Sequence, residues 1–177
     1  MLDTRELGRR PGSQREVSRT VPAPADLGIE VLRVPEGAPV ELDLRLEAVM
    51  EGVLVTGTAL AALDGECARC LEPISDDIEV TFQELFVYDD HRDPDPSEED
   101  DETSFLEDDL LDLEPLLRDA VVLALPFQPL CEDDCPGLCA ECGARLADDP
   151  EHAHDAAIDP RWGRLQELQQ GPELSGE

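Results

Sequence analysis

Apolar and polar residues alternate most clearly from Pro39 onward, where Val40, Leu42, Leu44 and Leu46 are interleaved with Glu41, Asp43, Arg45 and Glu47. A period of two describes a strand with one buried face. A second run, Val53 to Leu63, is rich in β-branched residues and closes on Asp64-Gly65, which reads as a turn. The two runs predict a hairpin. A third strand is expected from about Ile74 to Val87, where Ile78, Val80 and Phe82 alternate with Asp77, Glu79, Thr81 and Gln83. The pattern then changes period. Leu113, Leu116, Leu117, Ala120, Val121 and Ala124 follow helical spacing, with Asp112 as the expected cap, Pro115 in the first turn and Pro126 as the stop. Val122, Leu123 and Leu125 widen the stripe and predict the most buried helix of the protein. Near the end, Trp162, Leu165 and Leu168 suggest a short terminal helix, followed from Gln169 by a polar tail expected to fray.

Between strand and helix, Tyr88 to Ser104 sets nine acidic residues against Arg92, with Pro94 and Pro96 interrupting any helix. Such a segment buries too little apolar surface to order itself, so a disordered acidic loop is expected. The fold class that follows is α+β. An antiparallel sheet over about residues 40–87, an acidic loop over about 88–104 and a core helix over about 112–125 make a body of residues 1–126. A C-terminal Cys/His lobe with a terminal helix occupies residues 127–177.

Charge narrows the partners. Of 177 residues, 13 are Arg, none is Lys and 44 are acidic, for a net charge of −31. Direct nucleic-acid binding rests on basic patches that release counterions, so a nucleic-acid role is better reached through a basic protein partner. Plain solubility explains the same charge. Residues 1–20 are the one basic end, with Arg5, Arg9, Arg10, Arg15 and Arg19 against three acids. They are expected to meet acidic surface of the same fold, with an RNA-touching arm as the alternative. Aromatic content of 3% requires an aliphatic core. The N-terminus has no apolar targeting region and no run approaches a membrane span, so a soluble cytoplasmic chain without membrane association is expected.

Six cysteines in a reducing compartment read as metal ligands or redox thiols rather than disulfides. Four of them, Cys131, Cys135, Cys139 and Cys142, fall within twelve residues, and His152 and His154 follow closely. Cys67 and Cys70 form an earlier CxxC in the connection between the second and third strands. Cys139-x-x-Cys142-Gly143 has the form of a zinc knuckle, in which a tight turn aims backbone N–H groups at sulfur and a residue able to take positive φ follows the second ligand. Glu132, Asp133, Asp134 and Glu141 should raise thiol pKa values, which disfavours a reactive thiolate and favours a divalent cation. Structural zinc is therefore the expected cofactor, about one ion per chain. Three ligand sets are open: Cys139 and Cys142 with Cys131 and Cys135; the same pair with His152 and His154; or the same pair with Cys67 and Cys70, although 68 residues separate Cys70 from Cys139. For Cys67 and Cys70 a bare loop role is as good a reading as ligation. No HExxH, no HxE with PCxxC, no phosphate loop and no nucleophile elbow appears, so no catalytic residue is assigned.

The order Cys67-Ala-Arg-Cys70-Leu71-Glu72-Pro73, Leu125-Pro126, Pro129-Leu130-Cys131, Cys135-Pro-Gly-Leu-Cys139, Cys142-Gly143 and Asp159-Pro160-Arg161 resembles the YceD-like family of large ribosomal RNA subunit accumulation proteins. The opening Leu7-Gly-Arg-Arg-Pro-Gly12 is similar to its high-GC Gram-positive branch. The resemblance spans most of the chain. It implies a non-enzymatic role in synthesis, processing or stability of 23S ribosomal RNA, and a ribosomal protein or pre-50S particle as partner. Where many Gram-positive members resemble Cys-x-Cys after the knuckle, this chain has His152-Ala-His154, a swap between zinc-competent ligands. Arg145-Leu146-Ala147 replaces an Asn-rich step. Two readings compete with this one: a thiol redox or zinc-dependent RNA-processing enzyme, and a zinc-binding interaction module unrelated to ribosomes.

Overall fold

The computed structural model describes residues 1–91 and 103–154, and the chain divides into two compact units, Met1–Cys135 and Pro136–Glu177. The first unit is built on the alternating segments. Strands β5 (Pro39–Ala48), β6 (Gly52–Glu66) and β7 (Pro73–Val87) pair antiparallel, with Leu44 opposite Gly57 and Gly57 opposite Phe82. Along β5 the expected apolar set Val40, Leu42, Leu44 and Leu46 is buried while Glu41, Asp43 and Arg45 face water. The same face of β6 and β7 adds Val53, Val55, Ala59, Leu63, Val80 and Phe82 to one aliphatic core. Each of these buried side chains contributes roughly 25 cal/mol per Å² of apolar area removed from water.

Strands outside the expected span extend this sheet. β2 (Gln14–Pro22) pairs with β5 along its whole length, from Gln14 opposite Glu47 to Pro22 opposite Pro39. The short β3 (Gly28–Ile29) and β4 (Leu32–Arg33) form a ribbon that joins β6 at Asp64 and Gly65. Asp64-Gly65 is therefore not a turn. Both residues are paired on both sides, and a Cβ on Gly65 would lie 2.3 Å from the Val31 carbonyl oxygen, so glycine is required there for close backbone approach. The hairpin turn lies later, at Cys67–Glu72.

Helix α1 (Glu114–Ala124) packs chiefly on β7 and β3. Leu117 and Val121 are its buried residues, with Leu113, Leu116 and Ala120 against the same core. The cap position is Leu113 rather than Asp112, whose carboxylate instead accepts the Glu114 N–H at 3.1 Å. The widened stripe is buried only in part: Leu125 lies in the core and Val122 is half-buried, but Leu123 is 85% exposed, so within the helix itself one face covers the sheet. Arg118 on its flank donates to the carbonyls of Ala25 and Asp26, which ties the helix to the β2–β3 connection.

The basic N-terminus folds back onto acidic neighbours. β1 (Leu2–Asp3) pairs with β8 (Leu110–Leu111), and buried Thr4 donates twice to the Asp109 carbonyl. Arg9 lies over the Tyr88 ring and pairs with Asp109 at 3.2 Å and Asp90 at 3.5 Å, while Arg15 pairs with Glu6. Most of the acidic segment, residues 92–102, lies outside the described residues. Its described ends are anchored to the strand: Val87 N–H donates to the Ser104 carbonyl and Leu106 N–H to the Val87 carbonyl. The expected terminal helix at Trp162, Leu165 and Leu168 and the polar tail also lie outside the described residues. Among the described residues no helix is long and apolar enough to cross a membrane.

The described part of the second unit consists of turns. One isolated bridge, Leu138 with Arg145, is its only ladder contact among the described residues.

Candidate metal centres

Each unit brings together four ligand-type side chains. In the first, Cys67, Cys70, Cys131 and Cys135 place their sulfurs within 4.8 Å of one another; in the second, the sulfurs of Cys139 and Cys142 and a ring nitrogen each of His152 and His154 lie equally close. All eight expected residues are thus accounted for, in two sets rather than one. Cys131 and Cys135 join Cys67 and Cys70, not their sequence neighbours, because the segment after α1 runs back to the β6–β7 turn and Ala68 N–H donates to the Pro129 carbonyl at 2.8 Å. Of the three expected ligand sets, the one joining Cys139 and Cys142 to His152 and His154 is brought together within a single unit.

The two CxxC segments have the same backbone geometry. Cys67 N–H donates to Glu72 O, Leu71 N–H to Cys67 O, and Arg69 N–H to Cys67 Sγ at 3.5 Å. Seventy-two residues later Cys139 N–H donates to Ala144 O, Gly143 N–H to Cys139 O, and Glu141 N–H to Cys139 Sγ at 3.4 Å. Both turns close on a residue with positive φ, Leu71 at 60° and Gly143 at 73°. The first is therefore a knuckle as fully as the second, and sequence reading undervalued it because Leu71 stands where glycine signals the turn.

Distances fit a tetrahedral ion. Zinc–sulfur bonds of about 2.3 Å give sulfur–sulfur edges of about 3.8 Å. Cys67 Sγ lies 3.8 Å from Cys135 Sγ, and Cys70 Sγ lies 3.6 Å from Cys131 Sγ. These separations are far beyond a disulfide bond, and all six cysteines are free. In the second group Cys142 Sγ is 3.2 Å from His152 Nε2 and 3.3 Å from His154 Nε2, and the two Nε2 atoms are 2.9 Å apart. These edges are a few tenths of an ångström shorter than zinc–ligand lengths imply. Each ring turns its other nitrogen to a carboxylate: His154 Nδ1 is 3.5 Å from Glu141 and His152 Nδ1 is 3.9 Å from Asp149. Carboxylates thus lie near the ring nitrogens that face away from the ligand group, at distances longer than a good hydrogen bond.

Thiol electrostatics correct the expectation from the acidic neighbours. Burial opposes charge on Cys67, yet the backbone N–H groups of Cys131, Arg69 and Cys70 outweigh it and hold the thiol at about 6. Cys139 is likewise lowered to about 6, by the N–H groups of Cys142 and Glu141. Cys131 is pushed up to about 12 by its hydrogen-bonded thiol neighbours Cys135 and Cys70. One thiol in each group is thus biased toward the thiolate, while the crowded sulfurs of the first oppose one another's ionisation, which a cation among them would relieve. Arg69, within the first CxxC, donates to the Cys135 carbonyl at 2.9 Å and brings a positive charge beside that group.

Comparison with known proteins places these centres in a family context. The family described as "Large ribosomal RNA subunit accumulation protein YceD" matches residues 55–169, a span that contains both groups. The uncharacterized protein Rv2926c of Mycobacterium tuberculosis is 49% identical over 172 residues, covering 97% of this chain and 82% of its own length. An uncharacterized protein of Mycobacterium leprae is 44% identical over 168 residues, 95% of this chain and 76% of its own. YlbN of Bacillus subtilis, also uncharacterized, is 29% identical over 103 residues, 58% of either chain. No solved structure matches.

Proposed function

Because the chain belongs to the YceD family of large ribosomal RNA subunit accumulation proteins, we propose that it is a non-enzymatic cytoplasmic factor for the synthesis, processing or stability of 23S ribosomal RNA. The family match carries this reading. We further assign zinc to both groups, through Cys67, Cys70, Cys131 and Cys135 in one and Cys139, Cys142, His152 and His154 in the other. Sulfur-rich tetrahedral sets without a spare position suit zinc held for structure rather than catalysis. The partner that best fits a chain of net charge −31 is basic, a ribosomal protein or a pre-50S particle, approached over an acidic surface that steers cations and repels bare phosphate.

A deletion strain tests the role. Sedimentation of its lysate should show a deficit of large subunits and of 23S ribosomal RNA, restored by the intact gene. An unchanged profile would contradict the proposal. One observation favours a thiol oxidoreductase instead, namely the lowered Cys67 and Cys139 thiols. Cys67 is wholly buried, however, and a nucleophile needs access. Fast thiol modification in zinc-loaded protein would favour that alternative.

A further inference from the structure

The two groups differ in what surrounds them. Cys67, Cys70 and Cys135 are buried in a unit with its own aliphatic core, and the segment carrying Cys131 and Cys135 is pinned at Ala68 and Arg69. Cys131 is the one exposed ligand of the four, so freeing the three buried sulfurs requires peeling that segment from the knuckle. From Leu138 to His154, by contrast, no described residue is buried, Cys142 is exposed, and the side chains of His152 and His154 retain 19% and 33% of their accessibility. This stretch has no helix or strand among its described residues. A segment without a core cannot offset the entropy of ordering its chain, so an ion at its four ligands is what remains to hold it.

We propose that Cys139, Cys142, His152 and His154 form an exchangeable zinc site whose occupancy sets whether the second unit is folded, while the four-cysteine site keeps its ion. This rests on the reading that both groups bind zinc. Several features converge on it. A competing ligand replaces a zinc ligand by approaching the ion, and the second group is the more open to that approach: Cys142 and His154 are exposed and Cys139 and His152 half-buried, whereas in the first group three ligands are buried and Cys131 alone is exposed. Two of its ligands are neutral imidazoles, which leave without separating charge, and all four lie within sixteen residues of chain, so one local opening frees them all. The four-cysteine site joins residues 61 or more positions apart in sequence, so its loss disturbs the body of the fold. Zinc supply thus sets the state of the second unit alone, while the first unit stays folded.

The test uses the zinc-loaded full-length chain mixed with the chromophoric chelator 4-(2-pyridylazo)resorcinol, with amide resonances followed in parallel. One zinc per chain should leave at least about tenfold faster than the other, reflecting the easier local opening. The slow ion should emerge only when a mercurial titrates the thiols. The fast phase should be absent from Cys142→Ser and from His154→Ala and persist in Cys70→Ser. Resonances of residues 138–154 should collapse to unfolded positions in step with it, while those of β5–β7 hold. Equal release rates, a fast phase that survives Cys142→Ser, or dispersed 138–154 resonances after zinc loss would each overturn the proposal. A chain that neither carries nor takes up zinc overturns the zinc reading itself, a result distinct from two ions of equal lability.

Discussion

Gly143 isolates one energetic contribution to metal binding. It sits at φ +73°, and a Cβ built there would meet nothing within 4 Å. Gly143→Ala therefore adds no clash and removes no contact; its whole effect is conformational. Holding an L-residue in the left-handed region costs about 1–2 kcal/mol, and the stiffer unfolded chain returns about 0.4–1 kcal/mol. The net is about 1 kcal/mol against the folded knuckle. Where folding and ligation are one event, that energy appears in the metal affinity, and 1 kcal/mol is roughly a fivefold weaker dissociation constant. Gly143→Asn, which tolerates the left-handed region, should lose less. Competition titration of zinc against a chromophoric chelator measures each variant at the second site, with the four-cysteine site as internal reference. An alanine variant with unaltered affinity, or an asparagine variant as weak as alanine, would refute the account of this turn.

Other consequences follow from the same structure. Leu117→Ala should cost about 2–5 kcal/mol in urea unfolding because a buried leucine leaves a cavity, whereas exposed Leu123→Ala should stay within about 0.5 kcal/mol; similar losses at both would mean the helix is not one-sided. Arg69→Ala removes the bond to the Cys135 carbonyl and should lower stability by about 1 kcal/mol, discounted for its exposure, while an increase on denaturant titration would show that the arginine strains the site. In metal-free protein, Cys67 is ionised from about 6 in the folded state against an ordinary thiol value of 9.0, so its contribution is complete above pH 9 and is lost as pH falls to 6. Cys131, raised to about 12, contributes below pH 9 and loses that contribution as pH rises to 12. Stability of the metal-free body should therefore peak near pH 9, and a monotonic profile between pH 6 and 12 would contradict the thiol assignments.

Strands β5, β6 and β7 were legible because each buries one face, and burial is what period-two patterning records. β2 was not, since an edge strand buries only Val17 fully and its remaining positions can be polar without cost. The two-residue strands are too short to show any period. At Asp64-Gly65 the residue types of a turn serve instead to admit a neighbouring backbone, which only the β3–β4 ribbon reveals. The ligand set was legible as eight residues but not as two groups. Crowding of Cys131, Cys135, Cys139 and Cys142 suggested one centre, and only the return of the post-helix segment to the β6–β7 turn assigns the first two to Cys67 and Cys70. Equivalence of the two CxxC turns was hidden by Leu71, whose positive φ no sequence pattern announces.

Native mass spectrometry of the chain as purified tests the two-centre account most directly. Two four-ligand groups predict a mass raised by two zinc ions, falling to one in Cys70→Ser and to one in Cys142→Ser, with both ions lost only in the double variant. A single ion per chain, or a single variant that loses both, would contradict the division of the eight ligands into two independent centres.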